Sequence, residues 1–299
     1  MKILSFGSMN IDNTYSVDEF VQPGETMTAK NLSKFCGGKG LNQSIALASA
    51  GADVAHFGCV GEDGDILLDM LKSRGVNTDS VIKIDNITSG HAIIQVDSHG
   101  QNSILLYPGA NRRMTPELID RELEKYSCGD WLLIQNETNC LEYIMRAANK
   151  KGMKIAFNPS PMDGTVSTLP LELVDLFLVN EIEGAAVTGK EITEEITAEF
   201  EKLFPNAAVI LTLGKKGSIF KSEKDMLFQP SYCGTVKDTT GAGDTYTGFF
   251  IANYIKGVSL QECMRIAAMA STVQISRDGA AIAIPKKQEV LNALKNHCR

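Results

Sequence analysis

The sequence predicts a doubly wound α/β fold: a mostly parallel sheet with helices on both faces, plus a small β-sheet lid. Three observations carry this. Short, near-continuous apolar runs alternate with segments of helical periodicity along most of the chain. Two segments, residues 11–36 and 87–107, break that rhythm with alternating patterns and no helical crossover between them. The 299 residues, 43% of them hydrophobic, can fill a large core. The expectation is one unit over residues 1–299, with the lid strands inserted into it.

The elements follow in order. ILSF at 3–6 reads as a buried first strand, and Gly7, Asn10 and Asp12 interrupt it too soon for a signal peptide. The first insertion carries TYSV and TMTAKNLSKF, both alternating. GKGLNQSIALASAG, residues 38–51, has Leu41, Ile45 and Ala48 at helical spacing, and Gly51 can close it with positive φ. VAHFGCV at 54–60 is the next buried strand. In the second insertion Ala92, Ile94 and Val96 alternate, His99-Gly100 turns, and Ile104 and Leu106 alternate again, which is a hairpin. A flap built from these pieces could close over a site at the strand ends.

TPELIDRELEKY starts a helix with Thr115 as cap and Pro116 at the first helical position. WLLI (131–134), MKIAF (153–157), LFLV (176–179) and AVILTL (208–213) are further buried strands. Residues 242–255 are apolar enough for a largely buried helix. SLQECMRIAAMAS has Ser259 and Glu262 at capping-box spacing, with Val258 and Cys263 as a hydrophobic staple. PKKQEVLNALKNHCR is a final helix with basic residues near its end, where the dipole favours them.

Composition narrows the function. A net charge of −7 gives no basic excess, so a nucleic-acid backbone is a poor partner. No apolar run reaches membrane-span length. The seven cysteines, at 36, 59, 128, 140, 233, 263 and 298, form no CxxC pair, which fits a reducing cytoplasm. The four histidines, at 56, 91, 99 and 297, are too scattered for a metal motif.

Chemistry concentrates in two glycine-rich stretches. In KDTTGAGDTYTGFF, residues 237–250, Gly241 and Gly243 permit close approach at the mouth of a helix. First-turn amides there lack intrahelical partners, so Gly241, Ala242 and Gly243 can form an anion hole for a phosphoryl group. Asp244 sits beside that hole and can accept a proton from an attacking hydroxyl. An acidic residue at a helix start is also an ordinary dipole preference. In CGGKGLNQ, residues 36–43, Gly37-Gly38 can bring amides against a ligand, Lys39 adds charge, and Asn42 can point the same way. A plain glycine-packed helix start is the alternative. No GxxxxGK[ST] occurs, and the first strand ends in GSMN, not GxGxxG. Asn10 and Asp12 there suit hydroxyl recognition instead of a pyrophosphate, which argues against a nicotinamide dehydrogenase.

These stretches resemble the two signatures of the ribokinase-like, or PfkB, carbohydrate kinases. FCGGKGLNQSIALASAGADVAHFGCVGEDGDILLDML is similar to the first and DTTGAGDTYTGFF to the second, and their order and spacing fit over almost the whole chain. GSMNID at 7–12, GGKGLNQ at 37–43 and LIQNE at 133–137 place the resemblance nearest the ribokinase branch. It implies a ribokinase-like fold and transfer of the ATP γ-phosphoryl to the primary hydroxyl of a small sugar, D-ribose first. Deoxyribose, fructose, or a nucleoside such as adenosine or pseudouridine is the alternative. A catalytically silent sugar-binding or regulatory protein is the rival from another class, and it predicts loss of the base or anion hole, both of which are present.

The resemblance also implies roles. Asp244 would be the base, and Gly241, Ala242 and Gly243 the anion hole. Asn10, Asp12, Gly38, Lys39, Asn42 and Glu137 would bind the sugar. Asn180 and Glu183 in VNEIE would hold Mg²⁺ largely through water. Thr212, Gly214 and Gly217 would contact the nucleotide, with Ala268 near the adenine. Asp238 and Thr240 on one loop and Ser276 and Gly279 on another would bind K⁺, which would order the anion-hole amides. The segments 11–36 and 87–107 would form a lid that also makes a homodimer. Three positions depart from the ribokinase pattern: Ala268 where a histidine or asparagine is common, Thr247 for asparagine, and Ala283 for a serine in the cation region.

Overall fold

The structure, a computed structural model, describes residues 1–297. Strand β1 (Ile3–Phe6) leads into two lid strands, β2 (Asn10–Ser16) and β3 (Asn31–Gly37), and then α1 (Lys39–Ser49). Next come β4 (Val54–Val60), α2 (Asp65–Ser73), β5 (Val81–Lys83), and two more lid strands, β6 (Gly90–Val96) and β7 (Asn102–Tyr107). The middle of the chain supplies α3 (Pro116–Leu123), β8 (Trp131–Gln135), α4 (Leu141–Lys150), β9 (Lys154–Asn158) and β10 (Leu176–Asn180). Helices α5 (Glu181–Thr188) and α6 (Thr193–Leu203) lead to β11 (Ala208–Thr212), β12 (Gly217–Lys221) and β13 (Met226–Pro230). Helices α7 (Ala242–Tyr254), α8 (Leu260–Ile275) and α9 (Lys287–His297) end the described chain.

The main sheet has the order β13-β12-β11-β10-β9-β8-β1-β4-β5. It is parallel from β5 to β11, and β12 and β13 add antiparallel at one edge. The strands of its parallel part are largely apolar because both faces are covered. Ile3, Leu133, Ala156, Leu178 and Ile210 pack under α1, α7 and α8, while Leu4, Phe6, Leu132, Ile155 and Phe177 pack under α3, α4 and α6. The doubly wound expectation holds. Four strands run to a polar last residue, Gln135, Asn158, Asn180 or Thr212, where the sheet meets the site.

Local signals act largely as expected. The Thr115 side chain accepts from Leu118 N at 3.4 Å, with Pro116 at the first position of α3. Gly51 takes φ 87° after α1. The Ser259 hydroxyl accepts from Glu262 N at 3.4 Å. The expected return bond differs: the Glu262 carboxylate instead takes Arg265 Nε at 2.7 Å, an ion pair one turn on. The complete capping box lies at Asn180 and Glu183, each binding the other's backbone amide. Of the expected tail helix, residues 298 and 299, including Cys298, lie outside the described chain.

The lid is a separate sheet ordered β3-β2-β6-β7. Asn10 pairs with both Gly37 and Gly90, so the lid is rooted in the loop that follows β1. Its hairpin register places Ala92 opposite Leu106 and Ile94 opposite Ile104, as the alternation predicts. The turn is organised one step earlier than His99-Gly100 suggests. Asp97 Oδ1 accepts from the amides of His99 and Gln101, both at 2.8 Å, and Gly100 supplies φ 79°.

Candidate active site

Strand β1 runs between β4 and β8, so the chain winds outward from it in both directions. Such a switch point opens a crevice at the carboxyl ends of the strands. Three features converge there: the Gly7–Met9 turn, the polar strand ends, and the N-termini of α1 and α7. The two helices can approach because a Cβ on Gly248 would lie 2.4 Å from Ala46 Cβ.

At the lid root the polar groups hold one another in place. Asn10 is buried, and its Oδ1 accepts from Asn111 Nδ2 at 2.8 Å, which leaves its own amide to donate. Gly38, with φ 92°, starts α1 against Ser8 and Asn10. Glu137 accepts from Lys39 N at 2.9 Å and makes a short hydrogen bond with the Ser8 hydroxyl. Gly37 gives the Asp12 carboxylate its room, since a Cβ there would fall 2.0 Å from Asp12 Oδ2. Burial, then the charge of Glu137, pushes the Asp12 carboxyl up to about 7. Burial likewise raises Glu137, against the hydrogen bonds from Ser8 and Lys39. Burial alone would lower Lys39, but Asp244, Glu137 and Glu183 together hold its ammonium above the usual lysine range. Two acidic groups are therefore poised to accept from hydroxyls, with one cation beside them.

Asp244, in the first turn of α7, is 7% exposed. Its Oδ2 accepts from Asn42 Nδ2 at 3.0 Å, and its Oδ1 from Gln43 Nε2 at 2.9 Å. The network runs on: Gln135 Nε2 donates to Gln43 Oε1 at 2.7 Å, and Gln43 Nε2 also reaches Asn158 Oδ1 at 3.2 Å. The carboxylate is thus fixed by neutral donors, which leave it free to take a proton. Gln43, Gln135 and Asn158 are site residues that the sequence reading missed. Gln43 adjoins Asn42 in the glycine-rich motif, and the other two end their strands, which was the available signal.

Gly241 caps α7 in the left-handed region at φ 78°. Ala242 N donates to Thr239 O at 3.2 Å, so it is partly committed to the turn. Among the described residues the amides of Gly241 and Gly243 carry no hydrogen bond. A cleft of ≈ 190 Å³ opens in front of them, lined by Lys39, Asn158, Asn180, Glu183, Thr212 and Asp244 among others. A second, largely apolar hollow of ≈ 160 Å³ continues from it past Thr212, Gly214, Gly217 and Ala268, with Ser218 and Tyr246 in its wall. Gly217, at φ 126°, permits the turn under it, where a Cβ would meet Gln229 O at 2.1 Å. The expected base, anion hole and nucleotide contacts therefore form one continuous groove.

The Asp238–Thr240 and Ser276–Gly279 loops also meet. Asp238 accepts from Thr240 N at 2.8 Å through Oδ1 and from Gly279 N at 3.0 Å through Oδ2. Burial opposes ionisation of Asp238, but these hydrogen bonds hold its carboxyl below the usual range. Ser276 Oγ donates to Val273 O at 2.7 Å, back along α8. The carbonyls of Thr240 and Gly279 both accept from the Gln274 side-chain amide.

Residues 1–287 match the pfkB family carbohydrate kinase description. The chain is 33% identical over 298 residues to a ribokinase of Haemophilus influenzae, covering 97% of each. Among solved structures it is similar to a ribokinase from Thermotoga maritima, with TM-score 0.88, 31% identity, and coverage of 98% of this chain and 99% of that one. It is also similar to an Arabidopsis thaliana ribokinase complexed with ribose and ATP, with TM-score 0.85, 29% identity and 98% coverage of both. With the groove and both glycine-rich turns in place, the chain belongs to the pfkB family of carbohydrate kinases.

Proposed function

We propose that the chain phosphorylates D-ribose, transferring the ATP γ-phosphoryl to the primary hydroxyl to give ribose 5-phosphate. The observation that carries this is the unbroken arc from Asp12 and Glu137, past Lys39, to Asp244, the Gly241–Gly243 turn and the Ala268 hollow. Sugar hydroxyls donate to Asp12 and Glu137, while the Asn10 amide donates to the sugar. In the lid, Phe35 and Ala92 lie opposite Asp12, and Leu106 lies beyond Ala92. This apolar strip suits the carbon face of a small ring. Asp244, Glu137 and Glu183 surround Lys39 with more negative than positive charge, which disfavours a sugar already carrying phosphate.

Asp244 takes the hydroxyl proton as the oxygen attacks. The amides of Gly241 and Gly243 stabilise the charge spread over the transferring phosphoryl. Phosphoryl transfer needs positioning above all, and the Asn42 and Gln43 amides supply it by fixing both oxygens of the base. The lid excludes water as it closes. Asn180 and Glu183 line the phosphate cleft, but Glu183 Oε2 is occupied by the Asn180 amide. Among the described residues no cluster of three potential metal ligands exists. This donor set fits Mg²⁺ held through water, and Mg²⁺ carried by ATP supplies neutralisation of phosphate charge.

The lid exposes Ile104, Leu105, Leu106 and Tyr107, each at least 44% accessible. A four-stranded sheet with such an edge fits a symmetric pairing of lids in a homodimer. No described helix is long and apolar enough to cross a membrane. The six described cysteines are all unpaired, which supports a cytoplasmic setting. The function is tested by incubating the protein with ATP and ribose and locating the phosphate by NMR. Phosphate on the primary carbon supports the reading. Phosphate on the anomeric carbon, or none, contradicts it.

A further inference from the structure

Gln274 lies in the last turn of α8 and is fully buried. A buried glutamine in that position needs a reason, because its amide must be matched or it costs stability. Its Nε2 donates to Thr240 O in a short hydrogen bond and to Gly279 O at 3.3 Å. Both partners are carbonyl oxygens and can only accept. With no cation between them the nitrogen faces both carbonyls, and Gln274 Oε1 is left buried without a partner. These two carbonyls belong to the loops expected to hold a monovalent cation. Gln274 thus binds the same oxygens that the cation would have used.

The rest of the region agrees. Asp238 crosslinks the two loops from its own side, binding the amides of Thr240 and Gly279. Each loop is thereby held twice, once through its amide by a carboxylate and once through its carbonyl by a donor. The Ser276 hydroxyl is turned to Val273 O, and position 283 carries alanine, so neither offers a side-chain oxygen here. A Cβ on Gly241 would stand 3.7 Å from Gln274 Nε2, so the amide sits directly behind the residue that opens the anion hole. The residues present do not fit a cation on these carbonyls while Gln274 occupies them.

We propose that the Gln274 side-chain amide substitutes for the monovalent cation, so that the anion hole is ordered, and turnover proceeds, without K⁺. Gln274 is a positioning residue: it acts through Thr240 and Gly279 on the Gly241–Gly243 turn and touches no reacting atom. Only the activity arm of the test rests on the kinase reading.

The test compares K⁺ with tetramethylammonium, which is too large for the site, at equal ionic strength. Thermal unfolding of the substrate-free protein is measured with ATP turnover in both salts. The wild type should show no K⁺-specific rise in melting temperature and less than about a twofold change in turnover. The Gln274→Ala variant exposes both carbonyls. It should lose about tenfold or more in turnover in tetramethylammonium, with K⁺ restoring activity and raising its melting temperature. If that variant does not fold, Gln274→Met keeps the volume and removes the donor. Strong K⁺ activation of the wild type with a K⁺-specific thermal shift would overturn the proposal, since Gln274 would then serve as an oxygen ligand. Full activity of Gln274→Ala in tetramethylammonium would overturn it equally. A wild type inactive on every sugar but with no K⁺ shift would count against the substrate reading and not against this one.

Discussion

Replacing Asp244 by asparagine removes the proposed proton acceptor and leaves almost everything else in place. The structure shows why. Both carboxylate oxygens accept from side-chain amides, Asn42 Nδ2 at 3.0 Å and Gln43 Nε2 at 2.9 Å. An asparagine at 244 has one acceptor and one donor end, so one of these amides must reverse. Gln43 cannot, because its Oε1 already takes Gln135 Nε2 at 2.7 Å. Asn42 can, because its Oδ1 is buried without a partner and would gain one. The Asp244→Asn variant should therefore lose less than about 1 kcal/mol of stability. Asp244→Ala leaves Asn42 Nδ2 unmatched and Gln43 Nε2 with only Asn158 Oδ1, and should lose about 1–3 kcal/mol. Turnover should fall in both by about 10²–10⁴-fold, or about 2.7–5.4 kcal/mol of barrier, since the base is gone from both. Single-turnover kinetics with ATP, read beside denaturant unfolding of all three proteins, supplies every number. Near-normal phosphoryl transfer by Asp244→Asn would refute Asp244 as the base. Equal destabilisation by asparagine and alanine would refute the amide reversal.

Three further outcomes follow from the same geometry. Asp12 is raised to about 7, and its stability contribution is present below the unfolded carboxyl range and lost as pH rises through 7. Ribose needs the ionised form, so its affinity measured by calorimetry should climb up to about tenfold per pH unit below 7, and a flat profile would contradict this. Gly37→Ala puts a Cβ where the Asp12 carboxylate lies and should weaken ribose binding by about 1–3 kcal/mol while leaving ATP affinity intact; equal loss of both ligands would contradict the assignment. Sedimentation across a wide concentration range should give a dimer, and a persistent 32.4 kDa species would reject the lid pairing.

The parts of the site legible in the sequence are those held by local chemistry. Gly38 and Gly241 announce themselves because each takes positive φ at a helix start. Asp12 and Asp244 stand beside glycine-rich turns, where a dipole preference competes with the chemical reading, and Glu137 is legible only through the family resemblance of LIQNE. The parts that stayed hidden are through-space partners. Gln135 and Asn158 end adjacent strands and pair in register, but nothing local reveals that Gln43 joins them to Asp244. Gln274 sits inside an apolar helical pattern, and only folding brings it under Thr240 and Gly279. The capping box shows the same limit. Ser259 and Glu262 have the right spacing, yet Arg265 competes for the glutamate.

The most direct test of the central claim is the specificity constant of the wild type, measured with saturating ATP across ribose, 2-deoxyribose, fructose, adenosine and pseudouridine. A pocket that matches each hydroxyl with a buried carboxylate or amide should reject an analogue lacking one. The account predicts that ribose has the highest kcat/KM, with 2-deoxyribose below it by about 1–3 kcal/mol of lost transition-state binding. A higher kcat/KM for a nucleoside or for fructose would contradict it.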